Sequence, residues 1–178
     1  MRKAIPIFWK IFFAGLGAFI LLLVLINIGL FGSLPSLKEL ENPSIMLASE
    51  VYADDGTLMG KYYKDKSNRS NVEYHDISRN AINALLSTED KRFYDHSGID
   101  GMGVLRAVVK LGRDGGGSTI TQQLAKYMLG QGSHNITRRI IEKLKEWITA
   151  VRLERNFTKE EILALYLNAV PFGDNVVK

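Results

Sequence analysis

The longest apolar stretch of the chain lies near its N-terminus. Ile11 to Phe31 is an unbroken apolar run in which Asn27 is the only strongly polar side chain. An α-helix needs about 20 apolar residues to cross a bilayer, whereas the apolar region of a cleavable signal peptide has only about 7–15 residues and ends at a small-residue cleavage site. This run is too long for that alternative, and residues 32–36 match a cleavage site poorly. The pattern therefore predicts a transmembrane signal anchor over residues 11–31, after a cytoplasmic tail of residues 1–10.

Charge is distributed unevenly along the chain. Three of the 23 basic residues (Arg2, Lys3 and Lys10) precede the apolar run, so the remaining chain, with 20 basic and 19 acidic residues, is close to neutral. Basic residues before an anchor favour an N-terminus in the cytoplasm, which predicts that the chain from Gly32 onward lies at the outer, periplasmic face of the cytoplasmic membrane. A nearly neutral body argues against nucleic acid as a partner. A chain without cysteine has neither a disulfide framework nor thiolate chemistry.

Residues 32–75 are typical of a juxtamembrane linker that contains a small hairpin. Aromatic and branched side chains in residues 49–53 and 57–63 flank the sequence Asp54-Asp55-Gly56. An Asp-Gly pair between two such runs is a strong signal for a tight turn. The sequence therefore predicts two short antiparallel strands in this linker.

Apolar residues recur at helical spacing in the rest of the chain, residues 76–178. Hydroxyl side chains that can cap a helix precede several of these runs: Ser78, Ser118 and, in a capping box with Glu161, Thr158. The predicted helices cover residues 78–89, 102–111, 118–129, 137–155 and 158–170. In the long helix, six apolar residues are expected in the core: Ile140, Ile141, Leu144, Trp147, Ile148 and Val151. The fold class is therefore mostly α.

Residues 87–100, at the end of the first of these helices, bring acidic, basic, aromatic and imidazole side chains close together in sequence. Glu89 follows directly on an apolar helical face, so its carboxylate is expected in an apolar wall. Such an environment makes a carboxyl group useful as an acid or base near neutral pH. The alternative is a solvated helix end, in which basic side chains balance the helix dipole and Gly98 ends the helix.

A glycine-rich loop, residues 112–117, precedes the third helix. Free N–H groups at a capped helix N-terminus favour anion binding, and Thr119, Gln123 and Lys126 are spaced to line one helical stripe. A nucleotide P-loop is excluded because no Gly-Lys-Ser/Thr follows the glycines. The loop itself is either a mobile lid beside a site or a plain linker.

Four blocks now carry a resemblance to a known family: Glu89 to His96, Gly116 to Lys126, Lys143 to Trp147, and Ile162 to Asn168. In this order and spacing they resemble successive motifs of the peptidoglycan glycosyltransferases, glycosyltransferase family 51, which occur in class A penicillin-binding proteins and monofunctional transglycosylases. The resemblance implies a lysozyme-like domain over residues 76–178. Because the chain ends soon after the fourth block, we expect that domain to be truncated at its C-terminus.

The family resemblance also implies a reaction and its partners. The substrate would be lipid II, and the growing glycan strand would be extended with inversion and release of polyprenyl pyrophosphate. Glu89 would be the general base, and Glu146 would assist the leaving group directly or through a divalent metal (Mg²⁺ or Mn²⁺), with no nucleotide or organic cofactor. Membrane lipid and other cell-wall synthesis proteins are the further partners that the family implies.

Eight residues are expected to bind the substrate: Asp90, Phe93, His96, Ser118, Thr119, Gln123, Lys126 and Lys143. Two positions depart from the family pattern. Glu142 stands where the family has arginine, and we expect Arg138 or Arg139, about one turn earlier, to compensate. Tyr127 stands where the family has asparagine.

Two other functions are compatible with these residues. The first is a membrane-anchored lysozyme-like hydrolase that uses Glu89 as acid with Glu146 or Asp90 as its partner. The second is a non-catalytic remnant that binds lipid II or cell-wall synthesis partners.

Overall fold

A computed structural model of the chain describes residues 4–41, 49–62, 71–109, 117–130, 132–133 and 135–170. The helices are α1 (Ala4–Asn27), α2 (Leu37–Glu41), α3 (Arg79–Glu89), α4 (Gly101–Val109), α5 (Ile120–Met128), α6 (Ile136–Asn156) and α7 (Lys159–Ala169). The strands are β1 (Ser49–Tyr52) and β2 (Leu58–Tyr62), and short 3₁₀ turns cover Tyr74–Asp76 and Phe93–Asp95. The predicted mostly α fold with one small hairpin is confirmed.

Helix α1 is long and apolar enough to cross a membrane over Ile5–Asn27, and most of its side chains are exposed rather than packed against the rest of the chain. It begins within the predicted cytoplasmic tail and ends four residues before the predicted end of the anchor. The ending is a Schellman turn: the Leu30 N–H donates to the Leu25 carbonyl (3.1 Å) and the Gly29 N–H to the Ile26 carbonyl (3.0 Å). Gly29 has a φ of 86°, which suits this position because glycine has no Cβ to clash.

The linker elements follow from local signals. Strands β1 and β2 pair antiparallel, and the turn between them contains Gly56 at a φ of 81°. Asp55 accepts a hydrogen bond from the Thr57 N–H (2.9 Å) and so stabilises the turn. The predicted hairpin is confirmed. The short helix α2 was not predicted; its first turn is held by Ser36, whose N–H and hydroxyl both donate to the Glu39 carboxylate.

Helix α5 lies at the centre of the core and packs against α6 and α7. Its residues Ile120 and Leu124, one turn apart, are fully buried. The core contains Ile82, Leu85, Phe93, Ala125, Ala150, Leu153, Ile162, Leu163 and Tyr166. Burial of each large side chain contributes about 1.5–3 kcal/mol, so the core fixes the three helices relative to one another.

The prediction that Ile140 belongs to the core is wrong, because its side chain is 57% exposed. Helix α6 has 21 residues whereas α5 has nine. All of residues 136–140, the start of α6, are exposed. Helical spacing predicts which face an apolar residue occupies, but not where along a long helix the packing partner begins.

Candidate functional site

The N-terminus of α5 is fixed by two side chains. The Thr119 hydroxyl accepts a hydrogen bond from the Gln122 N–H (3.1 Å) and donates one to the Gly98 carbonyl (2.7 Å). The Asp90 carboxylate accepts the Ile120 N–H (3.1 Å). Thr119 is 2% exposed, so its hydroxyl is committed to capping, and a substrate-binding role for it stays a prediction.

Residues of the first sequence block, Glu89 to His96, are packed in the protein next to the start of α5. The buried Asp90 carboxylate pairs with His96 Nε2 (3.0 Å), and Phe93 is 1% exposed in the core. Lys159 lies over the Phe93 ring, 4.2 Å from its centroid, and donates to the His96 carbonyl (2.7 Å). Asp90, Phe93 and His96 therefore hold the polypeptide around the site, and a substrate-binding role for them stays a prediction.

Glu89 lies on the surface, and the expected apolar wall around it is not observed. Its Oε2 accepts a hydrogen bond from Gln123 Nε2 (2.7 Å), and Gln123 Oε1 accepts one from the Tyr166 hydroxyl (2.9 Å). Burial, with a contribution from the Glu89 charge, raises the pKa of Tyr166 to about 12. Tyr166 is therefore a neutral donor at physiological pH, and it orients the Gln123 amide so that its N–H faces Glu89.

A groove of about 1240 Å³ opens between α5 and the first half of α6. On one side it is lined by Ser118, two residues before α5 begins, and by the α5 residues Gln122, Gln123, Lys126 and Tyr127. Ser118, Gln122 and Lys126 are spaced four residues apart, which places them on one stripe of the helix. The groove therefore combines hydroxyl, amide and ammonium groups along one wall.

The opposite wall carries an ion pair. Lys143 Nζ lies 2.6 Å from Glu146 Oε2 and donates to the Ser118 hydroxyl (2.9 Å). The Glu146 side chain is only 7% exposed, whereas that of Lys143 is 40% exposed. The Lys143 ammonium therefore joins the two walls of the groove through its contacts with Ser118 and Glu146, while the Glu146 carboxylate stays buried. Charged and hydroxyl donors arranged in this way can bind a phosphate or diphosphate.

The two departures from the family pattern also lie at the groove. Arg139, Glu142 and Tyr127 line it, and Glu142 accepts the Ser133 N–H (3.3 Å). Arg138 is not among the described residues that line it. If an arginine replaces the missing cation, Arg139 is the better placed of the two; this compensation stays a prediction.

Sequence reasoning missed two residues. Tyr166 belongs to the fourth motif but was given no role, and a hydrogen bond that joins residues 43 positions apart has no local signal. Gln122 is 1% exposed, and neither polar atom of its side-chain amide has a hydrogen-bond partner among the described residues. Its position midway between Ser118 and Lys126 on one stripe was the signal that could have identified it.

The described residues offer few ligands for a divalent metal ion. The described residues contain no group of three or more His, Asp or Glu side chains that could hold one, and the Glu146 carboxylate is already paired with Lys143. Magnesium is commonly bound by one or two carboxylates together with substrate phosphates. Glu146 thus fits a metal only as a single ligand beside a substrate diphosphate, and its role as a metal ligand stays a prediction.

The predicted lid or linker, residues 112–117, lies outside the described residues except for Gly117. Gly117 directly precedes Ser118, which lines the groove. Its role stays a prediction.

Comparison with known proteins gives the family. The transglycosylase family model matches residues 55–177. Penicillin-binding protein 1A of Pseudomonas aeruginosa is 36% identical over 80% of this chain and 17% of its own length. The Aquifex aeolicus protein of the same name is 39% identical over 85% of this chain and 20% of its own. Penicillin-binding protein 2a of Streptococcus pneumoniae is 45% identical over 59% of this chain and 14% of its own length. The chain thus spans a fifth or less of the length of these relatives. Because the family model matches most of its residues, the chain belongs to the transglycosylase family.

Proposed function

We propose that this chain is a peptidoglycan glycosyltransferase that extends a glycan strand from lipid II. The observation that carries the proposal is the groove, which is lined by Lys126, by the Lys143–Glu146 pair and by Gln123, whose side-chain amide is hydrogen-bonded to the Glu89 carboxylate. A lipid-linked diphosphate is the kind of leaving group that these cations suit. The membership of the transglycosylase family supports the same reaction.

The reaction would be an inverting displacement. Glu89 would accept the proton of the acceptor 4-hydroxyl while the hydroxyl oxygen forms a bond to the anomeric carbon of the donor. The bond from that carbon to the pyrophosphate oxygen would break, and the negative charge would develop on the departing polyprenyl pyrophosphate. General base catalysis of this kind contributes about 10²–10⁴-fold to rate.

The exposed position of Glu89 suits this role because an acceptor hydroxyl can reach its carboxylate directly. The hydrogen bond from Gln123 to Oε2 leaves Oε1 available and limits the rotation of the carboxylate. The Lys126 and Lys143 ammonium groups would hold the diphosphate by charge-assisted hydrogen bonds. Glu146, fixed by Lys143, would keep that lysine directed across the groove toward Ser118.

The location follows from the same proposal. Helix α1 would anchor the chain in the cytoplasmic membrane with its N-terminus inside, so that the groove lies on the outer face where a lipid-linked donor is embedded. Membrane lipid, the growing strand and other cell-wall synthesis proteins are the partners that this location offers.

The test is polymerisation of labelled lipid II by the detergent-solubilised chain. We expect glycan polymer from the wild type and at least about a hundredfold lower rate from Glu89→Gln, because the amide cannot accept the proton. Asp95→Asn is the matched control, since Asp95 is an exposed acid of the same stretch and lies outside the groove.

Three results would contradict the proposal. Equal rates from wild type and Glu89→Gln would exclude Glu89 as the base. Reducing ends produced from polymeric glycan would favour a lysozyme-like hydrolase. A folded chain that binds lipid II without polymerising it would favour the non-catalytic alternative.

A further inference from the structure

Helix α6 presents different residues to its two sides. Lys143 and Glu146 line the groove. Lys145 is rotated by about half a turn from Lys143, and Arg152, seven residues further on, lies on the same side as Lys145. That side of α6 faces the C-terminal end of α1. The helix that carries the groove's ion pair is therefore also the helix on which the anchor packs.

Two hydrogen bonds join α6 to the end of the anchor. The Arg152 guanidinium donates to Asn27 Oδ1 (2.6 Å), and Lys145 Nζ donates to the Phe31 carbonyl (2.6 Å). Both are charge-assisted and therefore stronger than neutral hydrogen bonds. We call this set of four residues the anchor latch.

The backbone at the end of α1 is shaped for this contact. The Schellman turn ends the helix, so the Phe31 carbonyl is not used in a further helical turn. Gly32 has a φ of 99°, and a Cβ at that position would lie 3.0 Å from Lys145 Nζ. Next to the contact, Ile26 is completely buried, in contrast to most other side chains of α1.

Asn27 is also the one strongly polar side chain of the apolar run. A polar side chain in such a segment is costly unless it has a partner, and it commonly marks a specific interaction. Arg152 supplies that partner. A helix that served only as a tether would need neither Asn27 nor a cation opposite it.

We propose that the anchor latch positions the groove relative to the membrane. By holding α6 from the side opposite Lys143 and Glu146, the latch sets the height and orientation at which these residues meet the diphosphate of a membrane-embedded donor. Asn27 is a positioning residue in this scheme and does not touch the substrate. The proposal rests on the glycosyltransferase function proposed above.

The kinetic test uses the full chain in phospholipid vesicles. Asn27→Leu keeps the anchor apolar and membrane-inserted but removes the acceptor for Arg152. We expect kcat to fall about tenfold with little change in KM, because misplacement of reacting groups lowers the rate of the chemical step. Asn27→Asp keeps an acceptor and should retain a rate near that of the wild type. The Asn27→Leu/Arg152→Met double variant should be no slower than the slower single variant, since both remove the same interaction.

A structural readout separates this proposal from the function on which it rests. The chain has no cysteine, so two spin labels can be attached at exposed positions through Leu30→Cys and Arg155→Cys. We expect a narrow distance distribution between α1 and α6 by electron paramagnetic resonance, and a broad one when Asn27→Leu is added.

An unchanged distribution in the Asn27→Leu background would overturn the latch. A broad distribution combined with an unchanged kcat would show that the anchor is only a tether, and would also overturn the proposal. If the wild type makes no polymer, the proposed function fails, whereas the distance measurement still decides whether Asn27 fixes α1 against α6.

Discussion

Two lysine–glutamate pairs flank helix α5, and they are similar in geometry but not in surroundings. Lys143 and Glu146 are 2.6 Å apart at the groove, where the lysine side chain is 40% exposed. Lys159 and Glu154 are 2.8 Å apart on the inner side, where the lysine is 22% exposed and Glu154 also accepts the Thr121 hydroxyl (2.6 Å). The inner pair has its polar atoms committed to the protein. The groove pair keeps its ammonium accessible to a ligand.

The adjacent acids Glu89 and Asp90 differ in the same way. Glu89 is exposed and accepts a hydrogen bond from the Gln123 amide, whereas Asp90 is 7% exposed and hydrogen-bonded to both His96 and the N-terminus of α5. The exposed side chains with few hydrogen bonds, such as Glu89, are thus the ones suited to chemistry. The buried, hydrogen-bonded side chains, such as Asp90, keep them in position. The comparison predicts that variants on the inner side lose stability, whereas variants at the groove lose activity.

The largest stability effect is expected from Glu154→Gln. This substitution leaves the Lys159 ammonium without a counter-charge in a mostly buried position, so we expect the free energy of unfolding to fall by about 3 kcal/mol. Glu146→Gln is the matched groove variant, and it should lose less than about 1 kcal/mol because Lys143 can turn to solvent. Urea unfolding followed by circular dichroism measures both. Equal losses would remove the distinction between the two pairs.

A smaller effect, on activity, is expected from Tyr166→Phe. Tyr166 is 2% exposed and donates a hydrogen bond to Gln123, which in turn donates one to Glu89. Removal of one hydroxyl costs about 1 kcal/mol in hydrogen bonding, so we expect turnover to fall about five- to tenfold. Tyr94→Phe is the control, because Tyr94 is 56% exposed and outside the groove. Equal rates from both variants would show that Gln123 does not need Tyr166 to orient Glu89.

The smallest effect is expected at the ion pair between Arg92 and Asp100, whose side chains are 35% and 16% exposed. Burial acts to raise the pKa of Asp100, but hydrogen bonds from the Gly103 N–H and from Arg92 outweigh it and lower the pKa. A lowered pKa stabilises the fold above the ordinary aspartate pKa of about 3.9, and this stability is lost as the pH falls through the folded-state value.

Asp100→Asn should therefore lose about 0.5 kcal/mol at pH 7, a value typical of a partly exposed pair. The difference from the wild type should shrink as the pH falls below the ordinary aspartate range. Thermal unfolding over a pH series measures this. A loss that stays constant down to the most acidic pH would mean that packing, rather than charge, explains the effect of the substitution.

The elements governed by local sequence were predictable. The capping box of Thr158 and Glu161, the Ser78 cap and the Asp-Gly hairpin are confirmed, because each depends on residues within four positions of one another. The five helices of the main domain follow from apolar spacing in the same way. Their bounds agree with the prediction to within two residues wherever the chain is described.

The orientation of individual site residues was not predictable. Helix α3 ends at Glu89, and Asp90 has an extended φ of −157°, so the two acids point to different sides. Which of Ser118 and Thr119 faces the groove depends on which hydroxyl caps α5, and both are capable of it. These choices are decided by contacts between α3, α5 and α6, which a single sequence does not display.

The contact between Gly98 and α6 has a mechanical consequence. A Cβ at Gly98 would lie 2.9 Å from the Ala150 carbonyl oxygen, so the two backbones touch with no side chain between them. A side chain can absorb a displacement by changing its rotamer, but closely packed backbone cannot, and it transmits the strain. A shift of α6 is therefore passed to the loop that carries His96, and through Asp90 to the start of α5. We therefore expect the two walls of the groove to move together when α6 is displaced.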